Sequence, residues 1–314
     1  VGALRAVDGA VNTMTVGPRS LSVQVVLYED SLDRQLRLAA AIGAAVRHTR
    51  SSTPIERVAL RYGDSSRWPC LPDDAAALLA DASGVDDTTS TFFDANLGSG
   101  GGSNALAHGD DTDLIWVLNP DTYPAPTALT ALVDTLQHDG VAIAESRQVP
   151  IEHQKAYDPV TGSTSWGCGY SLLIRRAAFD SVGGFDDHYF PLYCDDVDLS
   201  WRLRLEGWDV RHCPGSVVFH DKQIQPDGRV GWSTTAARSS HLARLWLYRR
   251  YGRPDLEADF VASIRSSGDP VAAEALIEFL DRVDAGDAPP TIEGAGRVAT
   301  FVDGQYAPRR FSYG

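Results

Sequence analysis

Hydrophobic positions along this chain follow two periods. Leu21–Tyr28 (LSVQVVLY), Val58–Tyr62 and Leu114–Leu118 (LIWVL) are near-continuous apolar runs rich in strand formers. That is the pattern of strands covered on both faces of a parallel sheet. Between them the apolar residues recur at helical spacing. Leu32, Leu36, Ala39, Ala40 and Val46 follow a cap at Asp30 or Ser31. Leu129, Leu132, Val133 and Leu136 share one face of a segment with Pro126 near its start and Gly140 past its end. Asp73–Ala82 predicts a short helix, Ser90–Phe93 a third strand and Val141–Ala144 a fifth. Turn residues close the strands at Gly63-Asp64-Ser65-Ser66 and Asn119-Pro120-Asp121. This alternation predicts an α/β domain with a mostly parallel, doubly wound sheet, whose ligands gather beyond the carboxyl ends of its strands.

The second half is less regular. Residues 147–170 are polar, aromatic and glycine-containing, as expected of a long functional loop or hairpin. Leu172–Arg175 is strand-like, Asp198–Glu206 predicts a helix stopped by Gly207, and Val217–Phe219 predicts a last strand ending at His220. Helical patterning resumes after residue 235, and Val298–Ala307 suits a hairpin turning at Asp303-Gly304. The expected organisation is an arm over 1–20, a main domain over 21–225 with halves 21–146 and 147–225, a helical extension over 226–285 and a tail over 286–314.

Composition narrows the function classes. The 314 residues are 43% hydrophobic and 22% charged, which excludes wholesale disorder, and the formal charge of −14 argues against a nucleic-acid partner. The charge is uneven. Residues 68–146 hold 13 acids and no Lys or Arg, whereas 228–254 hold Arg229, Arg238, Arg244, Arg249, Arg250 and Arg253 and no acid. The arginine segment is expected to pair with the acidic domain or a second subunit, or to meet an anionic acceptor or lipid-phosphate surface. Lysine is confined to Lys155 and Lys222 against 26 arginines, a bias of GC-rich bacterial sources. Cys70, Cys168, Cys194 and Cys213 form no C-x-x-C pair and are expected to be reduced thiols of a cytoplasmic protein. No apolar run approaches the roughly 20 residues of a membrane span, and no signal-peptide pattern is visible.

Four constellations could carry chemistry. Asn96-Leu-Gly98-Ser-Gly-Gly-Gly102-Ser-Asn104 places four glycines at the start of a helix, where backbone can approach an anionic ligand closely; equally it could be a flexible loop. It matches neither the dinucleotide fingerprint nor a P-loop. Asp121 stands just past a buried strand, where a carboxylate can hold a hard cation, or simply complete an Asn-Pro-Asp turn. Asp195, Asp196 and Asp198 crowd negative charge, so one can act as a proton acceptor, unless all three only cap the next helix. His220 ends an apolar strand, and acquires a role only if it shares a cation with Asp121.

In this order, these motifs resemble the family-2 glycosyltransferases, in particular the rhamnosyl- and galactofuranosyltransferase-like branch with the A-type glycosyltransferase fold. The resemblance covers roughly residues 21–220 and rests on LSVQVVLY, NLGSGGGSN, LNPDT and GGFDDHYFPLYCDDVDLSWRLRLEGW followed by VVFH. It implies that 21–146 is a donor half and 147–225 an acceptor half. Asp64 would face the base or ribose of a nucleoside-diphosphate sugar, expected to be UDP- or dTDP-linked, with Asn96, Gly98, Gly102 and Asn104 beside it. Asp121 matches the metal-binding acid of the family's Asp-x-Asp motif, and Asn119 replaces its first acid. His220 matches a histidine that completes a Mn²⁺ or Mg²⁺ site. Asp195-Asp196 matches the Glu-Asp pair that supplies the catalytic base, Asp196 being the preferred one. Three places depart from the pattern: Asp stands at 195 for the usual Glu, Tyr28-Glu29-Asp30 stands where Tyr-Asn is commoner, and the second strand turns on Tyr-Gly-Asp-Ser in place of Asp-Asn-x-Ser.

The implied reaction is inverting transfer of the sugar to an acceptor hydroxyl of a glycan, glycolipid or small molecule, by a homo-oligomer or a monomer with or without peripheral membrane contact. Trp166 and His153, with Asp195, are the expected acceptor contacts, their aromatic and polar groups suiting a sugar ring. The acid-rich stretch should repel a diphosphate, which argues independently for a cation at Asp121. A sugar-nucleotide nucleotidyltransferase would instead carry Arg and Lys in a glycine-rich loop after the first strand, where this chain has Tyr28-Glu29-Asp30-Ser31. A non-catalytic sugar-nucleotide-binding protein is the other alternative. A glycosidase would pair carboxylates without a nucleotide site.

Overall fold

The computed structural model describes residues 19–222, 231 and 233–311. The expected arm falls almost entirely outside them, as does Arg229. Apolar strands and amphipathic helices alternate from the start: β1 (Arg19–Leu27), α1 (Leu32–Arg50), β2 (Ile55–Asp64), α2 (Ala75–Ser83), β3 (Asp87–Phe92), α3 (Gly98–Ala107) and β4 (Leu114–Leu118). β1, β2, β3 and β4 pair in parallel, and Leu21, Val23, Val25 and Leu27 of β1 are fully buried between helical layers. The glycine-rich segment is the body of α3.

Beyond β4 the sheet becomes mixed. A three-residue strand β5 (Thr122–Pro124) precedes α4 (Ala128–Leu136), β6 (Val141–Val149), β7 (Ser171–Arg175), α5 (Arg176–Ser181), α6 (Asp195–Leu205) and β8 (Asp209–His220). The eight strands lie in the order β3-β2-β1-β4-β7-β6-β8-β5. β7 runs antiparallel between β4 and β6, β5 runs antiparallel to β8, and β8 is parallel to β6. The sheet is therefore parallel in its first half and mixed in its second, rather than mostly parallel throughout. The reversal at β7 brings its N-terminal end to the edge where β1, β2, β4, β6 and β8 end.

Three helices follow: α7 (Thr234–Arg250), α8 (Pro254–Ser267) and α9 (Pro270–Asp284). The chain then turns back on itself at Val302–Gln305, with Asp303 and Gly304 both at positive φ. The helices share a hydrophobic cluster with the α6 region: Trp166, Phe190, Val197 and Trp201 pack with Trp246, Leu276, Phe279 and Ala307. No helix among the described residues is long and apolar enough to cross a membrane.

Candidate active site

Strand ends deliver the acidic and aromatic side chains to one edge of the sheet. Asp64 closes β2, is buried, and accepts hydrogen bonds from the Ser66 N–H (2.9 Å) and the Cys70 N–H (2.7 Å). Burial alone would raise its pKa, but the hydrogen bonds from Ser66 and Cys70 prevail and hold it below the usual carboxylate range. The neighbouring turns meet there, the Glu29 N–H donating to Ser66 Oγ at 2.7 Å. Beside Asp64, Tyr28 and Trp68 are 56% and 73% exposed. These exposed rings were not singled out from sequence; only solvent exposure distinguishes them from core aromatics.

The glycines of α3 approach protein rather than open space. A Cβ on Gly98, which has φ +68°, would stand 2.1 Å from the Pro191 carbonyl oxygen, and one on Gly102 would stand 2.7 Å from Val26 Cγ1. Asn104 staples α3 to the 184–187 turn, donating to Phe185 O (2.8 Å) and accepting from Phe185 N–H (3.0 Å). Asn96 Oδ1 accepts from the Gly98 N–H at 3.1 Å. Close packing therefore accounts for the glycine motif, and the flexible-loop alternative does not hold.

Asp121 and His220 come together through strand pairing. β5 and β8 set Thr122 opposite His220, the Asp221 N–H donates to the Asp121 carbonyl (2.8 Å), and His220 Nε2 lies 3.2 Å from Asp121 Oδ1. The other ring nitrogen, Nδ1, lies 2.8 Å from Gln148 Oε1. A hydrogen bond donated there by Nδ1 leaves Nε2 facing Asp121, the orientation a metal-binding imidazole needs. Among the described residues no three His, Cys, Asp or Glu side chains converge as a ready-made metal cluster. Asn119 adjoins this pair, its N–H donating to Tyr170 O at 3.1 Å.

Asp195 and Asp196 form the first turn of α6, following Cys194 in a left-handed conformation (φ 56°). Both keep part of their surface exposed. Ser99 Oγ donates to Asp195 Oδ2 at 2.7 Å, tying the carboxylate motif to α3. Burial and the adjacent Asp196 charge push the Asp195 pKa up to about 7. Burial raises Asp196 too, against hydrogen bonds from the Gly169 N–H (2.7 Å) and its neighbour Val197 N–H (2.8 Å). Asp198 has a different fate. Fully buried, it binds Arg202 Nε (2.7 Å), Arg250 Nε (3.1 Å) and Tyr251 OH (3.0 Å), and so anchors α7 to α6.

The segment 166–170 that meets Asp196 rests on a buried network. Lys155 Nζ donates to Glu145 Oε2 and to Trp166 O, both at 2.6 Å, and Tyr170 OH donates to Glu145 Oε1 at 3.0 Å. Burial would raise Glu145, but Lys155 and His212 beside it hold its carboxyl down at about 2. Glu145 escaped the sequence reading because nothing in VAIAES separates a buried acid from an exposed one. Trp166 and His153 stand edge to face at 5.1 Å and line one cavity. Trp166 is 6% exposed and belongs to the hydrophobic cluster as well, so its core and cavity readings both apply.

Cations from elsewhere in the chain reach part of the acid-rich stretch. Asp86, Asp87, Asp110, Asp111 and Glu145 of the acid-rich stretch pair with Arg50, Arg61, Arg176, Arg57 and Lys155, all from outside it. These pairs account for five of the thirteen acids, so the stretch keeps an excess of negative charge. Among the described arginines of 228–254, four pair with acids, and Arg244 Nε instead meets Tyr306 OH at 3.4 Å. Arg238 binds Glu278, Arg249 Glu257, Arg253 Asp255, and Arg250 reaches Asp186 and Asp198.

No protein-family model matches the chain. Two solved structures have the same architecture. A GalNAc-T7 structure with UDP, GalNAc and Mn²⁺ superposes with a TM-score of 0.57 at 15% identity, over 87% of this chain and 56% of that one. The mannosyltransferase PcManGT from Pyrobaculum calidifontis, in complex with GDP-Man and Mn²⁺, gives 0.52 at 14% identity, over 85% and 81%. The fold is the A-type glycosyltransferase fold. By sequence the chain is 30% identical over 167 residues to an N-acetylglucosaminyl-diphospho-decaprenol L-rhamnosyltransferase of Mycobacterium tuberculosis strain H37Rv, covering 42% of this chain and 52% of that protein. It is 40% identical over 55 residues to rhamnosyltransferase WbbL of Escherichia coli K12, covering 18% of this chain and 20% of that protein. The chain matches about half the length of the first of these relatives.

Proposed function

We propose that this protein is an inverting glycosyltransferase that moves a sugar from a nucleoside-diphosphate donor to an acceptor hydroxyl. The carrying observation is convergence: Asp121 with His220, and Asp195 with Asp196, reach one edge of a sheet with the A-type fold. The names of the two sequence relatives favour a deoxyhexose such as rhamnose; a UDP or dTDP carrier is what the family resemblance implies. Tyr28 and Trp68 offer exposed faces on which the base can stack next to Asp64.

A carboxylate oxygen and an imidazole nitrogen 3.2 Å apart suit Mn²⁺ or Mg²⁺, and Gln148 orients the imidazole. Such an ion, held by Asp121 and His220, supplies positive charge to the leaving diphosphate. The chain's own contribution is the proton acceptor. Asp196 is held by two backbone N–H groups that favour its ionised form, and its carboxylate takes the hydroxyl proton as the acceptor oxygen attacks. Asp195 is a second reading for the base, because a pKa near 7 suits proton transfer at neutral pH.

The test is release of free nucleoside diphosphate from NDP-sugars with Mn²⁺ and acceptor. Asp196→Asn should keep donor binding and lose transfer by roughly 10²–10⁴-fold. If Asp195→Asn alone has that effect, the base is Asp195. Full turnover in both variants removes the carboxylate mechanism, and donor binding without any transfer in the parent protein favours a sugar-nucleotide-binding protein.

A further inference from the structure

A cavity of about 200 Å³ opens among Gln148, His153, Lys155, Trp166, Lys222 and Arg309. The chain has only two lysines, and both line it. Lys155 is committed to Glu145 and the Trp166 carbonyl. Among the described residues, Lys222 and Arg309 have no carboxylate partner. Glu152, the acid on the wall, is held by Arg147 (3.4 Å) and Arg310 (2.5 Å).

Trp166 is 6% exposed, and its Nε1–H is buried without a hydrogen-bond partner, so the ring is wall here and not a donor. His153 Nδ1 accepts from the Lys155 N–H at 3.1 Å, so the neutral ring carries its proton on Nε2. Burial and the Lys155 charge keep His153 neutral, with a pKa of about 4. The wall therefore offers two cations without a carboxylate partner among the described residues and one neutral N–H donor. A sugar hydroxyl wants acceptors as well as donors, whereas an oxyanion wants donors alone.

We propose that this cavity binds a phosphate or diphosphate group of a substrate, with Lys222 and Arg309 supplying the charge and His153 a neutral donor. Calling the anion a substrate's rests on the glycosyltransferase reading; the anion site itself does not. Two sources fit. A phosphate on the acceptor would fix its hydroxyl near Asp196, which is reached from Trp166 through Gly169. The donor's diphosphate could extend here from Asp121, since Gln148 of the wall also contacts His220.

Inorganic pyrophosphate, titrated calorimetrically into the full chain in excess EDTA, tests the site without metal or catalysis. Saturable binding is expected, weakened roughly tenfold in Lys222→Met and in Arg309→Met by loss of one charge-assisted contact each. Lys222→Arg should retain most of it. Binding that is absent, or unchanged in the double Met variant, overturns the proposal. A repeat with UDP or dTDP and Mn²⁺ present identifies the source: displacement of pyrophosphate assigns the donor, simultaneous binding the acceptor. Nucleotide binding that needs Asp121 is scored separately. Its loss with pyrophosphate binding intact would sink the catalytic reading alone, and the reverse would sink the anion site alone.

Discussion

Three acids within four residues illustrate how environment divides identical side chains. Asp198 is saturated by Arg202, Arg250 and Tyr251, whereas Asp195 and Asp196 keep solvent access and repel one another. Asp195 holds its proton to about pH 7, against about 3.9 when unfolded. Between those values the folded state binds more protons, so this group lowers stability progressively as pH rises through the interval. Asp195→Asn should flatten that slope, as read from thermal midpoints between pH 4 and 8; an unchanged slope would contradict the assignment. Glu145 works in the opposite sense. Its folded pKa of about 2 means that its stabilisation is full above the unfolded value and is lost as pH falls toward 2. Glu145→Gln strands the buried Lys155 ammonium and should cost about 3–5 kcal/mol in urea unfolding, less in combination with Lys155→Met. Little of this division is visible in DDVD or AES as strings, because Arg250, Tyr251 and His212 come from more than fifty residues away.

At the scale of elements, α3 sets a local rule against a packing rule. Ala is better than Gly in a helix interior by about 1 kcal/mol. At Gly102, however, a methyl would stand 2.7 Å from Val26 on β1, and neither the fully paired strand nor the helix can yield freely. Overpacking of this kind costs about 1–3 kcal/mol, so Gly102→Ala should destabilise the protein on balance. A rise in the denaturation midpoint would show that α3 is free to move away. The same contest explains what could be read from sequence. β4 matches its expected limits because five consecutive buried apolar residues admit little else. β8 spans twelve residues where three were expected. Pro214 and Gly215 interrupt its apolar pattern, and the register against β6 jumps from Cys213 to Val217. β5 escaped notice as a three-residue strand ending in Pro124, yet it is the element that brings Asp121 to His220.

On the scale of the molecule, the C-terminal segments are structural walls of the site. The tail lies along the 154–156 segment, the Ala156 N–H donating to Pro308 O and the Arg310 N–H to Gln154 O, both at 2.7 Å. Tyr306 and Arg309 thereby reach the cavity that Trp166 lines, roughly 140 positions earlier in sequence, a distance at which hydrophobic periodicity carries no information. The helices are tied in more deeply still. Trp246 is fully buried with Phe279 and touches Tyr189, while Arg250 crosses to Asp186 and Asp198 beside the carboxylate pair. A core that spans residues 166 to 307 should melt together with the carboxylate motif it supports. Calorimetry of the full chain should therefore show one transition, with equal calorimetric and van't Hoff enthalpies. Trp246→Ala should remove about 3–5 kcal/mol from the whole transition and lower donor-dependent turnover with it, because α6 loses the surface on which it is packed. Two separable transitions, with Trp246→Ala shifting only one, would make the helical extension an independent unit and leave the geometry of Asp195 and Asp196 to the sheet alone.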